Sequence, residues 1–305
     1  MTAVAAAPPA RRLTLRRALG LGVPIVAAGV LVAVLVQRRD AFLAALDSAP
    51  VWLLCSAVVL QLVALLARSE AWRLCVGAAG STVSRRCTFR ASALGGLIGI
   101  ANGQAGVAAR IAALRRSPGD CPRVGALVAA ELPIMAIEAG LAALTSFTLL
   151  GPLGLPWWSA VLCVAVAGGL VAAGIFVSRR RTTGVWSGLA VLRTLDGRSR
   201  VVGLVLTAVF AQIARNWLAL HALGFDASVF DAIAVLIVLV TLSQLPIGPS
   251  VGAAAAVLIL GTHGVALAAA VGVLLTATGM AGTLCFGGWA LVDRLRPPRP
   301  AGFPA

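Results

Sequence analysis

An all-α fold, a polytopic bundle of membrane helices, is what this sequence predicts, and three observations carry the prediction. Of 305 residues, 60% are hydrophobic and 11% are charged, with a mean hydropathy of +0.99. Apolar runs of about twenty residues recur, each long enough to cross a hydrocarbon core about 30 Å thick at 1.5 Å rise per residue. The 25 basic residues are all arginine and cluster in short segments between those runs, the charge pattern of cytoplasmic loops. An outer-membrane barrel would instead alternate apolar and polar residues with period two. The net charge of +15 is therefore a matter of topology. Nucleic-acid binding is excluded because no soluble basic domain exists to dock a groove.

Six runs read as full spans: 18–37, 51–67, 124–149, 157–178, 201–223 and 265–292. Residues 1–17 form a basic tail; Arg11, Arg12, Arg16 and Arg17 hold the N-terminus in the cytoplasm. A cleaved leader is the alternative. The run that follows is longer than a typical leader's apolar region and more spans come after it, so it reads better as the first helix. The second span ends at Arg68, Glu70 and Arg73, where Glu70 and Arg73 are three apart and can pair on one helix face. Anionic headgroups are the expected contacts at that end. The 91–109 stretch has arginines on both sides, from Arg68 to Arg90 and from Arg110 to Arg123, so it dips into the membrane and returns.

Residues 124–149 then cross outward, 150–156 carry no charge, and 157–178 return to Arg179, Arg180 and Arg181. In 182–200, Trp186, Leu189, Leu192 and Leu195 recur every third residue, which suits a short interfacial helix as well as an ordinary loop. After 201–223, Ser228 and Asp231 have the spacing of a capping box that starts the next helix. The single transmembrane domain, 18–292, is followed by a cytoplasmic tail, 293–305, rich in proline and arginine.

Two interruptions stand out. Gln244–Gly252 holds Pro246, Gly248, Pro249 and Gly252 inside an apolar stretch, 229–263, far from any arginine. Prolines and glycines so close together cannot continue a regular helix. Lipid offers nothing to satisfy the freed backbone groups, so such a break belongs where protein or a wet cavity covers it. The other interruption, in 91–109, has Gly95, Gly96, Gly99, Gly103 and Gly106 around the polar Asn102 and Gln104. Charge placement sends the first segment in from the cytoplasm and the second from outside. Inverted pairs of broken segments meeting near the midplane are a transporter plan; small residues that merely allow close packing are the competing reading.

Charged residues at membrane depth usually face a bundle interior. Glu138 lies near the centre of 124–149, with Glu131 seven residues earlier on roughly the same face and Pro133 between them. Arg215 lies inside 201–223 beside Gln212 and Asn216. Glu138 and Arg215 are expected to line one polar cavity, as a pair; a structural ion pair, or an Arg215 that snorkels to the interface, is the alternative. Six scattered cysteines lack metal or redox spacing, and two distant histidines suggest no metal site. Neither a nucleophile arrangement nor a phosphate-binding loop is present. The expectation is a protein without cofactor or metal and without catalytic residues.

The two interrupted segments resemble those of the flippase-like integral membrane proteins, the lysylphosphatidylglycerol synthase transmembrane region family. Members carry a motif like P-x-R-x-G-E-x-x-R, a later Glu-Arg pair, and a C-terminal motif like L-P-x-x-x-G-x-G-x-x-E. Gly106 and Arg110 match the first motif, with Asn102, Gln104 and Val107 in place of its Pro, Arg and Glu; Glu131 matches the later Glu, followed by Leu132. Leu245, Pro246 and Gly252 match the second motif, and Ala255 replaces its Glu. The resemblance runs from about residue 50 to residue 292 and implies the family's fold and its link to lipid translocation. The sequence ends at Ala305, so the soluble aminoacyl-transfer domain of some relatives is not expected.

The leading expectation is a transporter of flippase type in the cell membrane, moving an anionic or lipid-linked substrate between leaflets. Asn102, Gln104, Gly106, Arg110, Glu131, Glu138, Arg215, Pro246, Gly248, Pro249 and Gly252 are its candidate substrate-binding residues. The alternatives are a non-transporting scaffold or accessory subunit of an envelope lipid pathway, and a membrane enzyme whose arginines hold a lipid phosphate.

Overall fold

A computed structural model describes residues 50–100, 103–117, 120, 121, 123–180, 187, 189, 191, 195–243, 251–260 and 265–295. The regular elements among these are all helical: α1 (Val51–Ala78), α2 (Arg85–Gly99), α3 (Gly103–Arg115), α4 (Val124–Ala129), α5 (Leu132–Leu144), α6 (Leu150–Leu153), α7 (Trp157–Arg180), α8 (Leu195–Ala222), α9 (Val229–Ser243), α10 (Val251–Leu260) and α11 (Val265–Leu295). Five stretches are long and apolar enough to cross a membrane: Val51–Ala78, Val124–Leu144, Trp157–Phe176, Asp196–Ala222 and Ala268–Leu295. They correspond to five of the six expected spans; the run 18–37 lies outside the described residues. The protein is thus an all-α, multi-pass helix bundle.

The central pair is α1 and α8, which pack together most extensively. Lipid provides no hydrophobic drive for one helix to seek another, so small side chains that allow close approach carry the contact. Here Ala64 and Ala67 of α1 meet Ala208 and Ala211 of α8. Two apolar cores flank this seam. One joins Leu53, near the start of α1, to Leu220 and Leu223 at the end of α8, and contains Val235, Ala256 and Val271. The other joins Trp72 and Cys75, near the end of α1, to Val201 and Val205 at the start of α8, and contains Ala91, Ile111 and Leu127. The two central helices are therefore antiparallel, with one core towards each end.

Each core holds one helical hairpin. The first is α2 with α3, the second α9 with α10, and the arms of each pack on one another. Fifteen and thirteen residues in α2 and α3 span only about 22 and 20 Å, short of a hydrocarbon core about 30 Å thick. Over the stretch expected to dip, 91–109, two short helices, α2 and α3, pack on one another. They touch backbone to backbone: a Cβ added at Gly106 would come within 2.6 Å of the Gly95 carbonyl oxygen and 2.8 Å of Gly99 Cα. The hairpins lie at opposite ends of the α1/α8 pair, and the described ends of their arms meet. A Cβ at Gly103, the first residue of α3, would lie 3.3 Å from the carbonyl oxygen of Ser243, the last residue of α9.

The corner that launches each hairpin is the same structure twice. Helix α1 ends at Ala78 and α8 at Ala222, and a left-handed glycine follows each, Gly80 at φ 96° and Gly224 at φ 76°. Gly80 N–H donates to the Gly77 carbonyl and Ser81 N–H to Val76; Gly224 N–H donates to His221 and Phe225 N–H to Leu220. These bonds satisfy carbonyls that the helix end leaves free. Ser84 then caps α2, its hydroxyl accepting from Cys87 N–H at 3.4 Å. Ser228 caps α9, with its hydroxyl accepting from Asp231 N–H at 3.3 Å while Asp231 accepts from Ser228 N–H at 2.9 Å. The expected capping box at Ser228 is therefore present. Every paired position is displaced by one constant offset (78 to 222, 80 to 224, 84 to 228).

Three expectations need correction. The span over 124–149 is not one helix: it breaks between Ala129 and Leu132, with Glu131 at the N-cap of α5 and Pro133 in the first turn, and closes with a 3-10 turn at Ser146–Leu149. Pro133 cannot donate a backbone hydrogen bond and its ring disfavours a helical residue before it. The second span does not stop at residue 67 but runs to Ala78. Of 182–200, most residues before α8 lie outside the described set, while Leu189 and Val191 are buried, unlike the lipid-facing side of an interfacial helix.

Gly106→Ala is expected to destabilise the protein by about 1–3 kcal/mol, because a backbone neighbour cannot yield to an added methyl group as a side chain can. Gly168, on exposed α7, has nothing within 4 Å of its Cβ position. Gly168→Ala should be stabilising by about 0.5–1 kcal/mol through helix propensity. Thermal unfolding of both variants in detergent checks the pair.

Candidate functional site

Two polar stations lie on one face of α1. Gln61 and Arg68 are seven residues apart, two helical turns, so they share a face and are separated by about 10 Å along the axis.

The first station gathers α1, α3, α5 and the α4–α5 break. Arg68 Nη1 donates to Glu138 Oε1 at 2.6 Å. Arg110, on α3, donates through Nη2 to Glu131 Oε1, and its guanidinium lies 4.3 Å from the ring centroid of Trp72, one turn beyond Arg68. Through that stacking, one turn beyond Arg68 on α1, the two ion pairs are neighbours and two arginines balance two carboxylates. The inner pair is almost closed, with side-chain exposures of 11% for Arg110 and 7% for Glu131, while Arg68 at 39% opens towards the surroundings. Cation–π contact in a desolvated place contributes about 2 kcal/mol.

Local sequence explains why Arg110 reaches this position. Gly106 precedes it by one turn and lies against Gly95 and Gly99; a Cβ on Gly95 would be 2.7 Å from Arg110 Cβ. The glycine contact thus presses α3 onto α2 and aims Arg110 at α1. The break at Glu131 turns its carboxylate towards the same point, and Glu138 joins from α5. Glu131 and Glu138, expected on roughly the same helix face with Pro133 between them, each pair with an arginine although the helix is broken between them.

The second station is Arg215 of α8. Its Nη1 donates to Gln61 Oε1 and its Nη2 to Asn216 Oδ1, the latter at 3.3 Å. Arg215 is 5% exposed and Asn216 fully buried. Helix α11 closes over it, since a Cβ at Gly279 would be 3.2 Å from Nη1. The expected Glu138–Arg215 pair is therefore wrong. Glu138 faces Arg68, two turns of α1 away from the residue that Arg215 meets. Each ion pair among the described residues excludes Arg215: Arg68–Glu138, Arg73–Glu70, Arg85–Glu70, Arg90–Asp293 and Arg110–Glu131.

Other candidate residues fall as follows. Gln104 is exposed in the first turn of α3, and Gly252 is the second residue of α10. Asn102, Pro246, Gly248 and Pro249 lie outside the described residues. Ala255, at the position where the resembled family has its glutamate, is fully buried in the core. Glu70 and Arg73 pair at 2.7 Å as their spacing predicts. Arg68, expected at a headgroup, instead binds Glu138. Sequence reasoning missed Trp72, Gln61 and the Arg90–Asp293 pair, in which Arg90 Nε donates at 2.7 Å to Asp293 Oδ2 and so ties α2 to the end of α11. Gln61 alone left a readable trace, a lone amide in an apolar run.

Comparison of the chain with protein-family models, with curated proteins and with solved structures gives no match.

Arg110→Ala leaves Glu131 buried without its partner and should lower stability by about 3–5 kcal/mol. The double variant Arg110→Met with Glu131→Gln removes both charges and should recover most of that loss. Arg68→Ala, at the open edge of the network, should cost about 1 kcal/mol or less. A double-mutant cycle read by thermal unfolding checks all three.

Proposed function

We propose that this chain is a flippase-type transporter that moves an anionic lipid, or a lipid-linked anionic headgroup, between the leaflets of the cell membrane. The observation that carries the reading is the meeting of the two hairpin tips, Gly103 against the Ser243 carbonyl, alongside an α1 face that bears both polar stations. Paired broken segments meeting inside a bundle are the plan of many secondary transporters, whose substrate sites lie where the breaks meet. The repeated glycine–serine corner supports a two-fold construction of this kind.

Arginine placement assigns the sides. The first hairpin is flanked by arginines and enters from the cytoplasm, the second from outside, with both chain termini cytoplasmic. A headgroup leaving one leaflet would then meet the Arg68–Arg110 network and, about 10 Å further along α1, Arg215. The pairing of Arg110 with Glu131, two residues matched to the flippase-like family's pattern, supports that resemblance as well. Ion pairs between separate helices can open and re-form as substrate passes, and Arg68–Glu138, half-open, is suited to do so.

Leaflet-resolved translocation of fluorescent phosphatidylglycerol in proteoliposomes tests the reading. Wild type should accelerate exchange over protein-free vesicles. Glu138→Gln should slow it by roughly thirty-fold, the equivalent of about 2 kcal/mol for a charge-assisted hydrogen bond, with unchanged abundance in the vesicles. A folded wild type with no activity, or Glu138→Gln at wild-type rate, contradicts it.

A further inference from the structure

Arg215 is a cation at depth in the bundle that meets no carboxylate among the described residues. All eight acidic residues within the described set are engaged elsewhere or lie away from it: Glu70, Glu131, Glu138 and Asp293 pair with other arginines, Asp231 caps α9, and Asp120, Asp196 and Asp226 lie near helix ends or in loops. The polar groups around Arg215 are unbalanced in one direction. Its Nε–H and the Nδ2 amide of Asn216 are both buried donors without an acceptor among the described residues. Gln61 Oε1 and Asn216 Oδ1 are neutral acceptors for the other guanidinium nitrogens. What this station lacks is negative charge and acceptor oxygens.

We infer that Arg215, Asn216 and Gln61 form a binding site for an oxyanion, the phosphate of a lipid headgroup being the form that the transport reading favours. The Nε/Nη2 edge of a guanidinium accepts two oxygens of a phosphate side by side, and here Nε is free while Nη2 holds Asn216 at a long 3.3 Å. An arriving phosphate displaces that weak contact and takes the Asn216 amide as a third donor. Gln61 holds the opposite nitrogen and fixes the plane of the group. Helix α11 packs on the Gln61 side of the guanidinium, where a Cβ at Gly279 would be 3.2 Å from Nη1, and hydrogen bonds to an anion on the other edge are stronger in such a poorly hydrated interior. The inference rests on the transport reading for the lipid nature of the anion, not for the presence of the site.

Thermal unfolding of the full chain in neutral detergent tests it with three probes: dioctanoyl phosphatidic acid, inorganic phosphate, and dioctanoylglycerol, which lacks the phosphate. Dioctanoyl phosphatidic acid should raise the wild-type Tm by about 5 °C at saturation, and dioctanoylglycerol should not. An equal rise with inorganic phosphate supports an oxyanion site that takes a soluble ligand. Gln61→Glu, nearly isosteric, supplies the missing carboxylate from within; it should raise the ligand-free Tm and abolish the response. Arg215→Met should also lose the response without a fall in ligand-free Tm, and it serves where Gln61→Glu fails to fold. No shift with either phosphate probe, or a wild-type shift in these variants, overturns the site. A shift that persists in a protein inactive for translocation removes the transport reading alone; translocation without any shift removes the site alone.

Discussion

A helix that breaks at membrane depth exposes N–H and C=O groups to a solvent that cannot bind them, and the bundle is arranged around covering two such places. The helices on either side of each break pack on one another, each such pair lies against one end of the α1/α8 seam, and the two pairs meet where Gly103 approaches Ser243. Hairpin geometry depends in turn on absent side chains. Gly95 and Gly106 bring α2 and α3 to backbone contact, where an added Cβ would come within 2.8 Å of the facing backbone. From that contact follows the position of Arg110, and from Arg110 the neutral network with Glu131, Trp72, Arg68 and Glu138.

Electrostatics divides the interior unequally. At one station every charge has a counter-charge on another helix, so the network both links α1, α3 and α5 and remains separable into pairs. At the other, Arg215 is held by two neutral amides alone. A charge at membrane depth costs about 2.5–3.5 kcal/mol on insertion scales, and an isolated one is poorly compensated by amides. The interior thus holds a charge-balanced network at one level, whose Arg68 is partly exposed, and a buried cation with amide partners two turns of α1 away.

Much of the architecture was legible because it is written in local signals. Arginines on both sides of 91–109 forbade a simple crossing, the glycines there permitted a hairpin, and Ser228 with Asp231 marked a helix start. The matching start at Ser84 escaped notice because Cys87 stands where a capping box has an acidic residue, although the fold of the corner is the same. The charge partners were not legible. Glu138 and Arg215 seemed complementary as two buried opposite charges, yet which residues meet depends on how α5 and α8 are rotated against α1. Arg68, seven residues beyond Gln61, settles that: one face of α1 offers two levels, and each charge meets its own. The long break at 244–250, the strongest local signal, has its consequences visible only through the hairpin arms on either side.

The central claim is that two hairpins from opposite ends of the bundle meet tip to tip. Disulfide formation between Gly103→Cys and Ser243→Cys, in a variant lacking the six native cysteines, tests it most directly. Read by mass spectrometry of linked peptides under mild oxidation, the pair should cross-link as readily as Gly96→Cys with Thr283→Cys, a contact of similar closeness between α2 and α11. Cross-linking of the α2–α11 pair with none between the tips would contradict the account.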